Sequence, residues 1–280
     1  MVELRFFDPN DAREAAKMEA VLDRTERGYL ERMRLKPQRR MDAASFVGMT
    51  RPWTRRERER YERDVCPAAA AAFAQALQTV VGSEDVRCGP IYLVRSDPSI
   101  ENAYPFTLGP YVMLPTRPGY SESVGRLQRT LLHELLHVAQ RFHKREFDRY
   151  YRDSGYVRLS ASWVTELQAT SERLGYSLVS NPDVYRHQAY GVPLNASGSL
   201  ILASNLCVDG SGYRELAFIV DRSASRVVRC EWLSDLIPAV SKRPYSPPES
   251  SLGLMRLMRT HHYEFHPNEV SSRLFEGLIQ

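Results

Sequence analysis

Between Val124 and Phe142 the apolar residues Val124, Leu127, Leu131, Leu132, Leu135, Leu136, Ala139 and Phe142 recur at the period of an α-helix. They cover much of the circumference, so the pattern predicts a largely buried helix. Ahead of it, the apolar runs Ile91-Tyr92-Leu93-Val94 and Tyr111-Val112-Met113-Leu114 predict two strands. Residues 11–80 read as helices, including one capped at Thr54-Arg55-Arg56-Glu57 and an alanine-rich one over 67–82. Beyond the buried helix, a further helix is predicted over 160–179 and short strands over 200–202, 216–220 and 226–230. A Ser/Pro-rich linker over 242–250 precedes a helical C-terminal part, and no internal repeat is visible. The order predicts an α+β chain with a small mixed sheet. It is read as an N-terminal helical region over 1–85 packed on a domain over 86–280, with a short strand-rich insertion around 198–232.

Three polar residues interrupt the buried helix. The string His133-Glu134-Leu135-Leu136-His137 is an HExxH motif set inside the apolar run. Burying two imidazoles and a carboxylate without partners costs on the order of several kcal/mol, and a metal ion is the partner that suits this trio best. The competing account is a buried, hydrogen-bonded His/Glu cluster. Side chains four apart on a helix lie about 40° apart around the axis, so His133 and His137 can present two ring nitrogens to one ion. Glu134 then sits beside the ion, placed to take a proton from a metal-bound water and pass it to a leaving amine. The expected cofactor is Zn2+, the expected substrate a peptide or protein, and the expected general base Glu134.

A zinc site of this kind needs a third protein ligand, and three residues are candidates. His143 completes the histidine spacing of the metzincin pattern HExxHxxGxxH, but Gln140 stands at the glycine that turns the chain back to the metal. The stretch from Gln140 to Phe147 contains no breaker, and on a continuing helix His143 points away from the His133/His137 face. Glu166 and Glu269 each lie near the start of an amphipathic segment, where either can equally be a surface carboxylate; Glu269 has Arg273 one turn on. Pro267 as a first-turn proline, behind the aromatic and histidine-rich lead-in of 261–266, favours Glu269. Tyr263 and His262 are the nearest donors, by sequence, for an oxyanion over the metal.

The segment Leu132-His133-Glu134-Leu135-Leu136-His137-Val138-Ala139-Gln140-Arg141 resembles the active-site helix of poorly characterised zinc peptidases, among them ones encoded by large DNA viruses. Three further pieces are similar to that group: Tyr104-Pro105-Phe106-Thr107-Leu108-Gly109-Pro110-Tyr111-Val112-Met113-Leu114 to the strand ahead of the helix, Asn181-Pro182-Asp183 to a shared Asn-Pro-Asp, and His266-Pro267-Asn268-Glu269 to a His-Pro-x-Glu segment. The last also resembles the ExxAxxF glutamate segment of anthrax-lethal-factor-like gluzincins, with Ser272 in place of the alanine. Phe106 stands where the group has a histidine. The resemblance implies a zincin-like, gluzincin-type metallopeptidase fold with His133, His137 and Glu269 on zinc, and it names no substrate. In zincins an edge strand beside the active-site helix can take up an extended substrate, and 111–114 is the candidate for it.

Composition adds boundaries. At 280 residues and 43% hydrophobic, the chain can bury one sizeable core or two unequal ones. The first residues lack the plan of a signal peptide and no apolar stretch is long enough to span a bilayer, so an intracellular, cytoplasmic setting without a membrane partner is expected. Cys66, Cys88, Cys207 and Cys230 form no CxxC pair and read as free thiols, although Cys207 and Cys230 could pair across adjacent strands. The arginines at 51, 55, 56, 58, 60 and 63 are interleaved with Glu57, Glu59, Glu62 and Asp64, which reads as a solvated helix face and not as a nucleic-acid surface. The pattern is silent on oligomeric state. A second class of function is a zinc-stabilised binding or scaffold protein without turnover; the presence of Glu134 beside the histidines speaks against it, since a structural site has no use for a base.

Overall fold

The computed structural model describes residues 2–25, 42–82, 88–100, 104–115, 123–178, 190–209, 212–240, 245, 247–260 and 265–279. The fold is α+β. It divides into two compact units, 1–144 with 272–280 and 145–271. This differs from the boundary expected near 85, because the first strand of the chain pairs with a strand beyond that point.

In the first unit, β1 (Glu3–Phe6), α1 (Ala12–Thr25), α2 (Ala43–Gly48), β2 (Thr50–Arg51), α3 (Arg55–Arg60) and α4 (Cys66–Val81) lead to β3 (Pro90–Ser96), β4 (Phe106–Leu108), β5 (Tyr111–Pro115) and α5 (Val124–Phe142). The N-terminal region is therefore not helical alone. Its sheet is mixed and five-stranded: β3 pairs in parallel with β1 and β5, while β2 and β4 run antiparallel to β3 and β5. The strand expected at the edge, β5, is internal; β4 ends the sheet order instead. Every residue from Tyr111 to Leu114 is buried, as a strand covered on both faces requires. Phe7, Met18, Leu22, Phe46, Val94, Ile100, Phe106 and Met113 form one core cluster of this unit.

Local chemistry sets the helix ends. Thr54 and Glu57 form the expected reciprocal capping box, and Gly82 closes α4 in the left-handed region at φ 72°. On α3 and the π-helical turn after it, Arg55 pairs with Glu59, Arg58 with Glu62 and Arg63 with Asp64. Ser123 caps α5 by accepting from the Arg126 backbone N–H. From Leu131 through Gln140 every residue of α5 is buried, and the helix packs on α4, β4 and β5. Arg141, near its end, donates to both the hydroxyl and the backbone carbonyl of Thr107 on β4. One guanidinium thus ties the helix to the last strand of the sheet.

The helix does not continue past Phe142. His143 is its C-cap at φ −112°, ψ 46°, its backbone N–H reaching the Ala139 carbonyl at 2.8 Å, and α6 (Lys144–Asp153) starts afresh. No glycine or proline marks the break. The second unit continues with β6 (Val157–Arg158), α7 (Ala161–Arg173), β7 (Ser177–Leu178), β8 (Tyr190–Pro193), β9 (Leu200–Asp209), β10 (Gly212–Asp221), β11 (Arg226–Trp232), α8 (Leu233–Val240) and α9 (Glu249–Thr260). The predicted helix over 160–179 is shorter than expected because Gly175, at φ 81°, turns the chain into β7. β7 to β11 and β6 build a six-stranded antiparallel sheet, so the supposed insertion around 198–232 supplies its long strands. Leu167 of α7 packs with Ile201, Ala203, Cys207, Leu216, Phe218 and Val220 from one face. Last comes α10 (Pro267–Phe275), a continuous helix whose first turns belong to the second unit and whose end belongs to the first, followed by a 3-10 turn at Glu276–Leu278.

All four cysteines are free. Cys207 and Cys230 sit on β9 and β11, with β10 between them, so the cross-strand disulfide considered from sequence has no adjacent strands to join. Burial pushes the Cys207 thiol up to about 12 and the Cys88 thiol to about 11. Among the described residues no helix is long and apolar enough to cross a membrane.

Candidate metal centre

α5 places His133, Glu134 and His137 in its buried stretch, one turn separating the two histidines. Their rings meet nearly at right angles, 79° apart with centroids 4.6 Å apart, and the two Nε2 atoms face each other at 2.9 Å. The opposite nitrogens have partners of a definite kind. Nδ1 of His133 lies 2.8 Å from a Glu276 carboxylate oxygen, and Nδ1 of His137 lies 2.9 Å from the Gln140 amide oxygen. Both partners present acceptor oxygens, which a proton on each Nδ1 satisfies. The other end of the Gln140 amide, its nitrogen, donates to Ser272 Oγ at 3.3 Å.

That tautomer assignment decides what the centre needs. With Nδ1–H on both rings, the two Nε2 atoms, 2.9 Å apart, are placed to share a cation. The cation is a proton or a metal ion. Glu269 brings a carboxylate oxygen to the same place: its ligand atom and one from each histidine all lie within 4.8 Å of one another. Two imidazoles and one carboxylate would hold a zinc ion with room for one further, non-protein ligand, a donor set of the catalytic kind. The residues fit Zn2+.

Around them, charge is arranged to keep the histidines fixed. Burial on its own raises the Glu276 carboxyl, but its hydrogen bond with His133 and the Arg273 guanidinium at 2.9 Å outweigh it and leave the group below the usual carboxylate range. Glu134 is buried at 4% exposure, on the residue between the two histidine turns.

The other candidate ligands lie elsewhere. Glu166 is exposed on α7 and pairs with Arg173 at 2.8 Å, the arrangement of a surface carboxylate. The His143 ring contacts Cys88 Sγ at 3.5 Å, and the reason differs from the expected one: the helix stops at Phe142 instead of carrying the ring round its axis. Tyr263, His262 and Asn181-Pro182-Asp183 lie outside the described residues, as do 242–244 and 246 of the linker over 242–250. Sequence reasoning missed Gln140, Glu276 and Arg273 as members of the centre. Gln140 was findable, since it stands three residues after His137 and so shares its helix face.

The comparisons add no relative. The chain matches no protein-family model, no curated protein and no solved structure.

A ligand series separates the three candidates. Glu269→Ala is expected to lower zinc affinity by orders of magnitude, because a lost ligand weakens binding far more than a lost surface charge pair. Glu166→Ala and His143→Ala should each leave affinity within about twofold of the parent, given their positions away from the centre. Competition against a chromophoric chelator measures all three. Normal zinc affinity in Glu269→Ala removes it from the centre.

Proposed function

We propose that this chain is a zinc-dependent peptidase of zincin-like, gluzincin-type fold, in which His133, His137 and Glu269 hold Zn2+ and Glu134 is the general base and acid. The observation that carries the reading is that ligand atoms of Glu269 and of two buried histidines one helical turn apart lie within 4.8 Å of one another, with Glu134 next to the first histidine. A bound zinc ion lowers the pKa of its water toward neutrality and polarises a peptide carbonyl. The chain's own residues do the rest. The Nε2 lone pairs of His133 and His137 face inward because Glu276 and Gln140 hold the far side of each ring. Glu134 takes the proton that the nucleophilic water must lose and returns it to the departing amine. The packing of α5 keeps bulk water from competing for that carboxylate, as its 4% exposure indicates. Tyr263 is the proposed oxyanion donor, with His262 as the alternative.

The substrate is a peptide or protein in this reading, and the setting is intracellular and cytoplasmic. Four free thiols, two of them deeply buried, support a reducing compartment.

Metal analysis joined to an activity screen tests the proposal. The purified chain is expected to carry about one zinc, to cleave members of a broad peptide library, to lose that activity on chelation and to regain it with added zinc. A chain that holds zinc yet cleaves nothing supports the zinc-stabilised binding or scaffold protein instead. Failure to take up zinc under any condition rejects both readings.

A further inference from the structure

Two hydrogen-bond chains reach the histidines from behind, and both run to one short stretch near the C-terminal end of the described chain. The first runs from Arg273 to Glu276 at 2.9 Å and from Glu276 to His133 Nδ1 at 2.8 Å. The second runs from Ser272 through Gln140, at 3.3 Å, to His137 Nδ1 at 2.9 Å. Ser272 and Arg273 lie on α10, the helix that also carries Glu269, and Glu276 opens the 3-10 turn that follows it without a break. Glu269 and Ser272 are three residues apart, one turn of the same helix.

An imidazole on a free side chain can rotate about two bonds and can bind a metal through either nitrogen. A hydrogen bond accepted from Nδ1–H removes both freedoms: it fixes the tautomer, so that Nε2 is the free donor, and it fixes the ring plane. Here each ring has its own acceptor, and the acceptors differ in kind. His133 faces a carboxylate, which raises ligand basicity as well as orienting the ring. His137 faces a neutral amide, which orients it without adding charge. The carboxylate is in turn steadied by Arg273, and the amide by Ser272, so neither acceptor is free to swing away.

We propose that Glu276 and Gln140 are positioning residues for the metal centre, and that the 272–276 stretch is the element through which the fold sets zinc affinity, supplying no ligand atom itself. The proposal rests on the metal-site reading above and goes beyond it. The helix that carries Glu269 also carries Ser272 and Arg273, which hold the groups that aim His137 and His133. Loss of an outer partner of this type weakens metal binding by about 10- to 100-fold while every ligand remains.

The experiment compares Glu276→Ala, Glu276→Gln, Gln140→Ala and Gln140→Glu in the full chain, with zinc affinity from chelator competition and the tautomer of each histidine from two-bond proton–nitrogen correlations of the zinc-loaded protein. Glu276→Ala and Gln140→Ala are expected to weaken zinc by about 10- to 100-fold. Glu276→Gln and Gln140→Glu keep an acceptor oxygen opposite Nδ1 and should recover at least half of that loss on a logarithmic scale. In the parent, both histidines should bind through Nε2 and carry the proton on Nδ1. Thermal unfolding of the metal-free variants supplies the control for folding, and the two conservative variants keep the comparison usable if an alanine variant does not fold. Parental zinc affinity in Glu276→Ala and Gln140→Ala, or a histidine bound through Nδ1, overturns the positioning role and leaves the metal site standing. Equal loss in the alanine and conservative variants, in step with their loss of metal-free stability, also overturns it in favour of a packing role. A parent that binds no zinc removes the site and the positioning role together.

Discussion

Alanine at His133 or at His137 is expected to leave the chain without zinc. In zinc-finger peptides the free energy of holding zinc is about 10–16 kcal/mol, shared among few ligands, so losing one imidazole is expected to cost several orders of magnitude in affinity. The two substitutions should differ in what they do to the metal-free fold. His137 is fully buried, and removing it strands the Gln140 amide oxygen that it engages at 2.9 Å. An acceptor stranded in that way costs about 1–3 kcal/mol, and the emptied space adds to it. His133 leaves behind Glu276, which keeps Arg273 at 2.9 Å and so is still paired. His137→Ala should therefore lower the unfolding temperature of the metal-free protein more than His133→Ala, while both abolish stoichiometric zinc. Elemental analysis after dialysis and calorimetry of the stripped protein give the two readings. Retention of about one zinc by either variant contradicts the assignment.

The centre was legible from sequence to the extent that it is written on a single helix. The apolar period identifies α5 as a buried helix, and the HExxH spacing then needs no tertiary information to bring His133 and His137 to one side. Capping at Thr54 and Gly82 was readable for the same reason, since the groups involved are within four residues of one another. What failed was long-range or sterically subtle. The pairing of β1 with β3 joins residues near the start of the chain to residues past 90, and nothing in either run of apolar positions announces its partner or places β5 inside the sheet and β4 at its end. The stop after Phe142 has no glycine or proline to signal it; His143 caps the helix while its ring turns to Cys88. The outer partner Glu276 stands seven residues past Glu269 in a 3-10 turn, where helical spacing gives no guide.

Replacing Glu134 with glutamine separates chemistry from metal binding. The amide has nearly the same shape, so the buried stretch of α5 should pack as before, and the histidine nitrogens and Glu269 are untouched. Zinc content and unfolding temperature of the zinc-loaded protein are expected to match the parent within error. Peptide hydrolysis is not, because an amide oxygen cannot accept the proton that the nucleophilic water must give up, nor can it deliver one to the leaving amine. General acid–base catalysis contributes about 10²- to 10⁴-fold, and here one carboxylate performs both transfers, so the fall in kcat should reach at least the upper part of that range. KM should change little, since Glu134 acts on the water and not on the bulk of the substrate. The discriminating measurement is kcat for a cleaved peptide in zinc-replete parent and variant, taken beside the zinc stoichiometry of the same samples. A variant that loses its zinc along with its activity says that Glu134 supports the site structurally. One that keeps both zinc and full activity takes the proton-transfer role away from it.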